Sequence, residues 1–281
     1  MDSLALKKKE NDELGSEIYN PLDIGRIFIS SKDEKIIGLA VESSEIYKGI
    51  LHELSEIADE IGVIIRFIQF SMPKPGEKTA KGIAFIDISN AKVSPRRALE
   101  ILKSKKYVKK VTLIRPFLDG MVSDNYFFPL VILNERVAIF RRSVYGALFE
   151  GVRRQFGSAG EAFLYYQGFG IGFKIFDEYA KLAGSMDAEK IAKVARAVNM
   201  TLGWGIIELV DIDVESKTAI ARIYQSFECE LGKGSDKPYS QFYRGATAGL
   251  FTKFFGKEVE VEEVKCIAKG DPYCEFFIKA K

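Results

Sequence analysis

Two thiols close together are the first place to look for chemistry in this chain. Cys266 and Cys274 stand in "CIAKGDPYC", eight positions apart, with Gly270-Asp271-Pro272 between them to turn the backbone back on itself. A hairpin that closes two thiols can make a disulfide, clamp a metal, or pack two small apolar side chains across a turn. The sequence holds one more cysteine, Cys229 in "SFECEL". Three cysteines do not form a disulfide framework, and an odd count points to a reducing compartment.

Other chemistries are thinly supplied. The single histidine, His52, lies in the amphipathic "ILHELSEIADEIG", where a surface position on a helix accounts for it. His-rich metal sites and Ser-His-Asp hydrolysis are therefore close to excluded. "GFGIG" (168–172) interrupts a helical, aromatic-rich pattern instead of following a strand, so it is read as close helix packing or room for a ligand. No Gly-Lys-Ser/Thr loop is present, and no nucleotide cofactor is expected.

Net charge is +2, and the charges balance on either side of residue 124, so no nucleic-acid partner is expected. The basic run "KSKKYVKK" (103–110) reads as a solvated helix end and an edge strand. With 47% hydrophobic and 28% charged residues the composition is that of a globular protein. The opening "MDSLALKKKENDELGSEIYN" lacks a continuous apolar core, and no stretch is long enough to span a bilayer. The expectation is a cytoplasmic protein with a polar arm over 1–22 and two domains, 23–120 and 125–281, in an α+β fold.

The elements that must position these residues follow from periodicity. "KIIGLAVE" (35–42), "VIIRFIQF" (63–70), "GIAFIDIS" (82–89) and "YVKKVTLIRP" (107–116) read as strands. Ser43 and Ser44 cap a helix that carries Ile46, Ile50, Leu54, Ile57 and Ile61 and ends at Gly62. Ser94-Pro95 opens a second helix, 95–106. The order is βαββαβ, a ferredoxin-like antiparallel sheet with two helices on one face. It resembles an ACT-like regulatory domain, which implies dimerisation or amino-acid sensing; "VESSEIYKG" stands where a Gly-rich ligand turn is common, which favours dimerisation.

After a linker through Asp119-Gly120 and "SDN" (123–125), helices are expected over 141–157, 159–184, 188–200 and 238–255. Two strands meet at Glu215-Ser216, and a hairpin of "EVEVEEVKC" and "YCEFFIKAK" closes the chain. Phe163, Tyr166, Phe169, Phe173 and Phe176 recur at helical spacing, with Trp204 beyond them. Core packing is the default reading for all six.

The tail "KPYSQFYRGATAGLFTKFFGKEVEVEEVKCIAKGDPYCEFFI" (237–278) resembles the C-terminal signature of the 4-vinyl reductase domain through "GATAGLF", "FFGKEV", Glu263, Cys266, Gly270-Asp271 and "CEFF". The resemblance covers 125–281 and is strongest over its last part. It implies helices packed on an antiparallel sheet around an apolar pocket, which some of the six aromatics would line. It also implies zinc held by three thiolates and a carboxylate. Glu263, Cys266 and Cys274 match three of those ligands; the fourth falls on Ser240, and Cys229 is the available substitute.

The expected function is a homodimeric, non-enzymatic sensor of a small hydrophobic ligand. The rivals are a tetrapyrrole-related reductase or its accessory protein, and an assembly subunit similar to TRAPP components. Reduction needs a hydride or electron donor, and neither a dinucleotide fingerprint nor a cluster-ligating cysteine set is present.

Overall fold

The computed structural model describes residues 21–31, 34–44, 50–71 and 79–281. The polar arm (1–20), the start of the first expected helix (45–49) and the Pro/Gly-rich 72–78 lie outside the described residues. The chain divides into two compact units, with the first running from Pro21 to Ala138 and the second from Ile139 to Lys281.

The first unit is built on a sheet of β2 (Ile36–Ser43), β3 (Ile64–Phe70), β4 (Ala80–Asp87) and β5 (Val108–Ile114), in the order β3-β4-β2-β5 with every pair antiparallel. Helices α1 (Ile50–Ile61) and α2 (Pro95–Lys103) supply Ile57, Ile61, Ala98 and Leu102 to one face, against Ile37, Leu39 and Ile86. Ser94 caps α2 by accepting from Arg97 N at 3.3 Å.

The opposite face is covered as well. A ribbon of β1 (Ile27–Ile29) and β6 (Met121–Ser123) lies antiparallel there, and Phe28, Val122, Tyr126 and Phe127 pack on Ile36, Ala40, Phe85 and Ile114. Burial from both sides explains why β2 reads as a continuous apolar run and not as an alternating strand. The 123–125 stretch expected as linker instead ends β6. The Asp124 carboxylate accepts from Tyr126 N at 3.0 Å and Phe127 N at 2.9 Å, and Arg26 pairs with it. A three-residue strand is too short to leave a periodic signature. A small ribbon of β7 (Val131–Ile132) and β8 (Glu135–Arg136) follows.

The second unit packs three helices, α3 (Arg142–Phe156), α4 (Ser158–Ala183) and α5 (Ala188–Thr201), with a four-stranded antiparallel sheet and α6 (Gln241–Phe255). The sheet comprises β9 (Ile206–Asp213), β10 (Thr218–Tyr224), β11 (Val259–Lys265) and β12 (Cys274–Ala280), ordered β11-β12-β10-β9. Alternation sends Ala219, Ala221, Ile223, Phe276 and Ile278 inward, against Tyr243, Ala248, Phe251 and Phe255 of α6.

The glycines of "GFGIG" and "GATAG" explain how α4 and α6 meet. A Cβ on Gly168 would lie 2.0 Å from the Phe242 carbonyl oxygen, and one on Gly172 would lie 1.9 Å from that of Ala246. Reciprocally, Gly245 and Gly249 would clash with the carbonyl oxygens of Tyr165 and Phe169 at 1.9 and 2.1 Å. The helices pack backbone to backbone at spacing i, i+4, so these glycines serve packing.

Candidate metal centre and ligand cavity

The hairpin between β11 and β12 is shaped to gather thiols. Cys266 follows β11, a one-turn 3₁₀ helix (Ile267–Lys269) comes next, and Gly270 takes φ of 101°. Asp271 then turns back, its carboxylate accepting from Cys266 N at 2.8 Å, so that Cys274 can start β12. Cys229 arrives from the turn after β10, which is pinned by its own N–H donating to Ser226 Oγ at 3.3 Å.

All three thiols are fully buried. The Cys229 sulfur is 3.7 Å from Cys266 and 3.3 Å from Cys274. The ligand atoms of Cys229, Glu263, Cys266 and Cys274 lie within 4.8 Å of one another. Backbone N–H groups support the sulfurs, from Tyr239 to Cys266 at 3.4 Å and from Ile267 to Cys274 at 3.5 Å.

The electrostatics are those of a site short of positive charge. Burial pushes the Glu263 carboxyl up to about 8, and its Oε1 is buried without a hydrogen-bond partner among the described residues. Hydrogen bonds from Cys229 and Cys274 hold the Cys266 thiol far below its ordinary range, which makes it the sulfur where negative charge is best accommodated. The same contacts, together with burial, push Cys229 up. Three acidic thiols and a carboxyl cannot all ionise in a dry site alone, whereas a bound dication removes that conflict. Zn–S bonds of about 2.3 Å in a tetrahedron set neighbouring sulfurs about 3.8 Å apart. The spacing of Cys229 and Cys266 matches that, and Cys229–Cys274 comes close. The cluster could hold a metal ion.

Ser240 does not supply a metal-facing thiol, but it abuts the site. It is 1% exposed, its N–H donates to Glu263 Oε2 at 3.3 Å, and its own hydroxyl has no partner among the described residues. It also fails to cap α6 with its side chain. Glu228 does that work: fully buried, it accepts from Phe242 N and Tyr243 N at 3.0 Å each and pairs with Arg153. Arg153 donates in turn to the Tyr239 carbonyl at 2.8 Å and lies 3.9 Å over that ring. Burial raises the Glu228 carboxyl, opposed by Arg153 and the two helix amides. Sequence reading passed over Glu228 because its partners are far away in the chain. The one local signal is a carboxylate beside Cys229 in an otherwise core-like "SFEC".

A cavity of about 100 Å³ lies between α4, α5, α6 and the sheet. Gly172, Phe176 and Tyr179 line it from α4, and Ile191, Ala195 and Asn199 from α5. Tyr243, Leu250 and Phe251 face it from α6, and Ile207, Leu209, Ala221 and Ile223 from the sheet. Ile223 pairs across the β10–β12 ladder with Cys274, so one strand serves both the cavity and the thiol cluster.

Of the six aromatics picked from the sequence, Phe176 and Trp204 line this cavity. Phe169 is half-buried against the main core and stacks on Phe173 at 6.2 Å. Phe163, Tyr166 and Phe173 point outward, at 54%, 71% and 39% exposure, and are not among its walls. Helical spacing marks a stripe without saying which of two faces turns inward. Tyr179, Asn199 and Tyr243 are wall residues that sequence reading missed. Asn199 carried a signal, because it continues the buried stripe Ile191-Ala195 as a polar residue.

Comparison with known proteins bears on this half of the chain. A family model for the vinyl-4-reductase domain matches residues 219–280, from β10 through β12, including all four residues of the cluster. The uncharacterized protein MJ0150 of Methanocaldococcus jannaschii is 28% identical over 136 residues, 47% of this chain and 74% of that protein. A second from the same organism, MJ1460, is 24% identical over 107 residues, 38% of this chain and 64% of its own length. Among solved structures, the phenol-responsive sensory domain of the transcription activator PoxR, with phenol, aligns at 16% identity and a TM-score of 0.47, covering 67% of this chain and 92% of that one. A vinyl-4-reductase family protein from M. jannaschii aligns at 18% and 0.36, covering 52% and 84%. A trafficking protein particle complex subunit 3 from Naegleria fowleri, covalently bound to palmitic acid, aligns at 20% and 0.38, covering 50% and 92%. On the match over residues 219–280, the C-terminal end of this chain is a vinyl-4-reductase domain.

Proposed function

We propose that the second unit is a non-enzymatic module that encloses a small apolar molecule, and that the chain is a cytoplasmic regulatory protein whose state depends on that occupancy. The observation that carries this reading is the apolar cavity of about 100 Å³ closed between helices and sheet. For scale, an apolar cavity of about 150 Å³ stays dry and accepts benzene. The matching ligand is a single small ring or a short branched chain. The vinyl-4-reductase domain match supports the reading, since the resemblance implies an enclosed apolar pocket.

Zinc is the metal that the donor set of Cys229, Cys266, Cys274 and Glu263 fits best: three soft sulfurs and one oxygen, all buried in a closed cluster. When bound it would supply a cross-link, not a reactive centre. The protein's own contribution is to hold Cys274 opposite Ile223, so that a stiff cluster backs the cavity wall. We assign the first unit, a βαββαβ fold, to an ACT-like role in dimerisation or amino-acid sensing. Occupancy can alter output only if the ligand binds two packing states with different affinity.

The test uses Trp204, the chain's single tryptophan and a wall of the cavity. Titration with benzene, toluene and short branched alkanes should give a saturable change in its emission and a raised melting temperature. No saturable response across that panel would sink the reading. Elemental analysis of the purified protein should find one zinc per chain.

The assembly-subunit reading draws on one feature: Val144, Leu148, Phe163 and Tyr166 leave apolar surface on α3 and α4, at 44%, 53%, 54% and 71% exposure. Light scattering decides the homodimer part of the proposal, which a monomer at high concentration would remove.

A further inference from the structure

The cavity is apolar but has a polar end. Asn199 Nδ2 donates to the Tyr179 hydroxyl at 3.1 Å and to the Ala195 carbonyl at 2.8 Å, which uses both of its hydrogens. Tyr179 accepts in that bond, so its own hydroxyl proton is left to donate. The Asn199 backbone carbonyl accepts from Trp204 N at 2.9 Å, which places Trp204 and the chain after it at this same end. Gly205 is next, and a Cβ there would stand 3.4 Å from the Tyr243 hydroxyl. Tyr243 is 3% exposed, and its hydroxyl has no hydrogen-bond partner among the described residues. A buried hydroxyl without a partner forfeits its solvation and is rare in a settled core.

These groups define what is missing. Two phenolic O–H groups have donor capacity to spare, on Tyr243 and Tyr179, and both residues line the cavity. Among the described residues no lysine, arginine or histidine lines it, so an anionic ligand would be buried unpaired. Glu208, the one charged residue in the described wall, accepts from the Tyr224 hydroxyl at 2.7 Å. We propose that the cavity selects a neutral molecule whose small apolar body carries one carbonyl-type oxygen, and that the Tyr243 hydroxyl, aided by Tyr179, donates to that oxygen. This rests on the ligand-binding reading above and narrows it to a chemical class.

The experiment compares two isosteres, cyclopentanone and methylenecyclopentane, which differ only in C=O against C=CH₂. Each is titrated into the full-length protein and followed by Trp204 emission. The ketone should bind roughly tenfold more tightly, as one hydrogen bond to an otherwise unpaired donor implies. Tyr243→Phe should abolish that preference while leaving methylenecyclopentane affinity unchanged, and its ligand-free melting temperature should equal or exceed that of the parent. Equal binding of the two probes by the parent overturns the polar anchor and leaves the cavity reading standing. A response to neither probe overturns both. A preference that survives in both Tyr243→Phe and Tyr179→Phe overturns the assignment of these residues. So does a fall in the ligand-free melting temperature of Tyr243→Phe, since the hydroxyl would then be engaged within the fold.

Discussion

Glu228 concentrates more of the second unit's geometry than any other single side chain. It neutralises Arg153, caps α6 through two amides, and so fixes where Ser240 and Tyr243 sit. Glu228→Ala leaves Arg153 buried without its partner and should cost about 3–5 kcal/mol in urea denaturation. Loss of zinc from the neighbouring Cys229 should accompany it. Cys266→Ser should leave a protein whose melting temperature no longer responds to a chelator, whereas the parent should melt lower once stripped of metal. In the first unit, the Ser89 hydroxyl hydrogen bond, with Arg66 adding, holds the Asp87 carboxyl below its ordinary range against the effect of burial. A depressed acid stabilises the fold above its unfolded pKa of 3.8 and loses that contribution as pH falls through the folded value. Asp87→Asn should therefore be less stable than the parent at pH 6, and the gap should close by about pH 2–3.

At the level of elements, the α4–α6 contact yields a sharp contrast between two glycines of one helix. Gly172→Ala drives a methyl to 1.9 Å from the Ala246 oxygen, a position that no rotamer relieves, because the obstacle is backbone. It should cost at least the ~1–3 kcal/mol typical of overpacking. Gly170→Ala, two residues earlier on the same helix with nothing within 4 Å, should stabilise by roughly 0.5–1 kcal/mol through helix propensity alone. Thermal melts of the two variants should move in opposite directions. Much at this scale was legible in the sequence: Asp187 caps α5 onto Lys190 N at 3.0 Å, and the closing hairpin reads directly from its alternation. The start of α6 was not. It begins at Gln241 instead of 238, because Tyr239 and Ser240 give backbone groups to Arg153, Cys266 and Glu263. Such long-range partners leave no local trace.

Across the whole molecule, what could be read followed from period and spacing, and what was missed followed from closure. The βαββαβ order, the four later helices and the terminal hairpin all announce themselves within windows of a dozen residues. The ribbon of β1 and β6 joins strands that are far apart in the chain, and neither is long enough to show a period. The fourth member of the cluster likewise had two candidates, Ser240 and Cys229. Only the turn after β10 brings the Cys229 sulfur within 3.7 Å of Cys266, across 37 residues of chain. The cavity posed the same difficulty, since two of the six aromatics picked from the sequence line it, and its polar end is contributed by three separate helices.

That ribbon also constrains how the first unit can associate. With α1 and α2 on one side and Phe28, Val122, Tyr126 and Phe127 on the other, neither broad side of the sheet, among the described residues, offers bare apolar ground for another protein to stack upon. What remains are the margins, β3 and β5, whose outer amides and carbonyls run beside Arg66, Lys109 and Lys110. A neighbour joining there would have to lengthen the sheet strand by strand and bring acidic side chains to meet those bases.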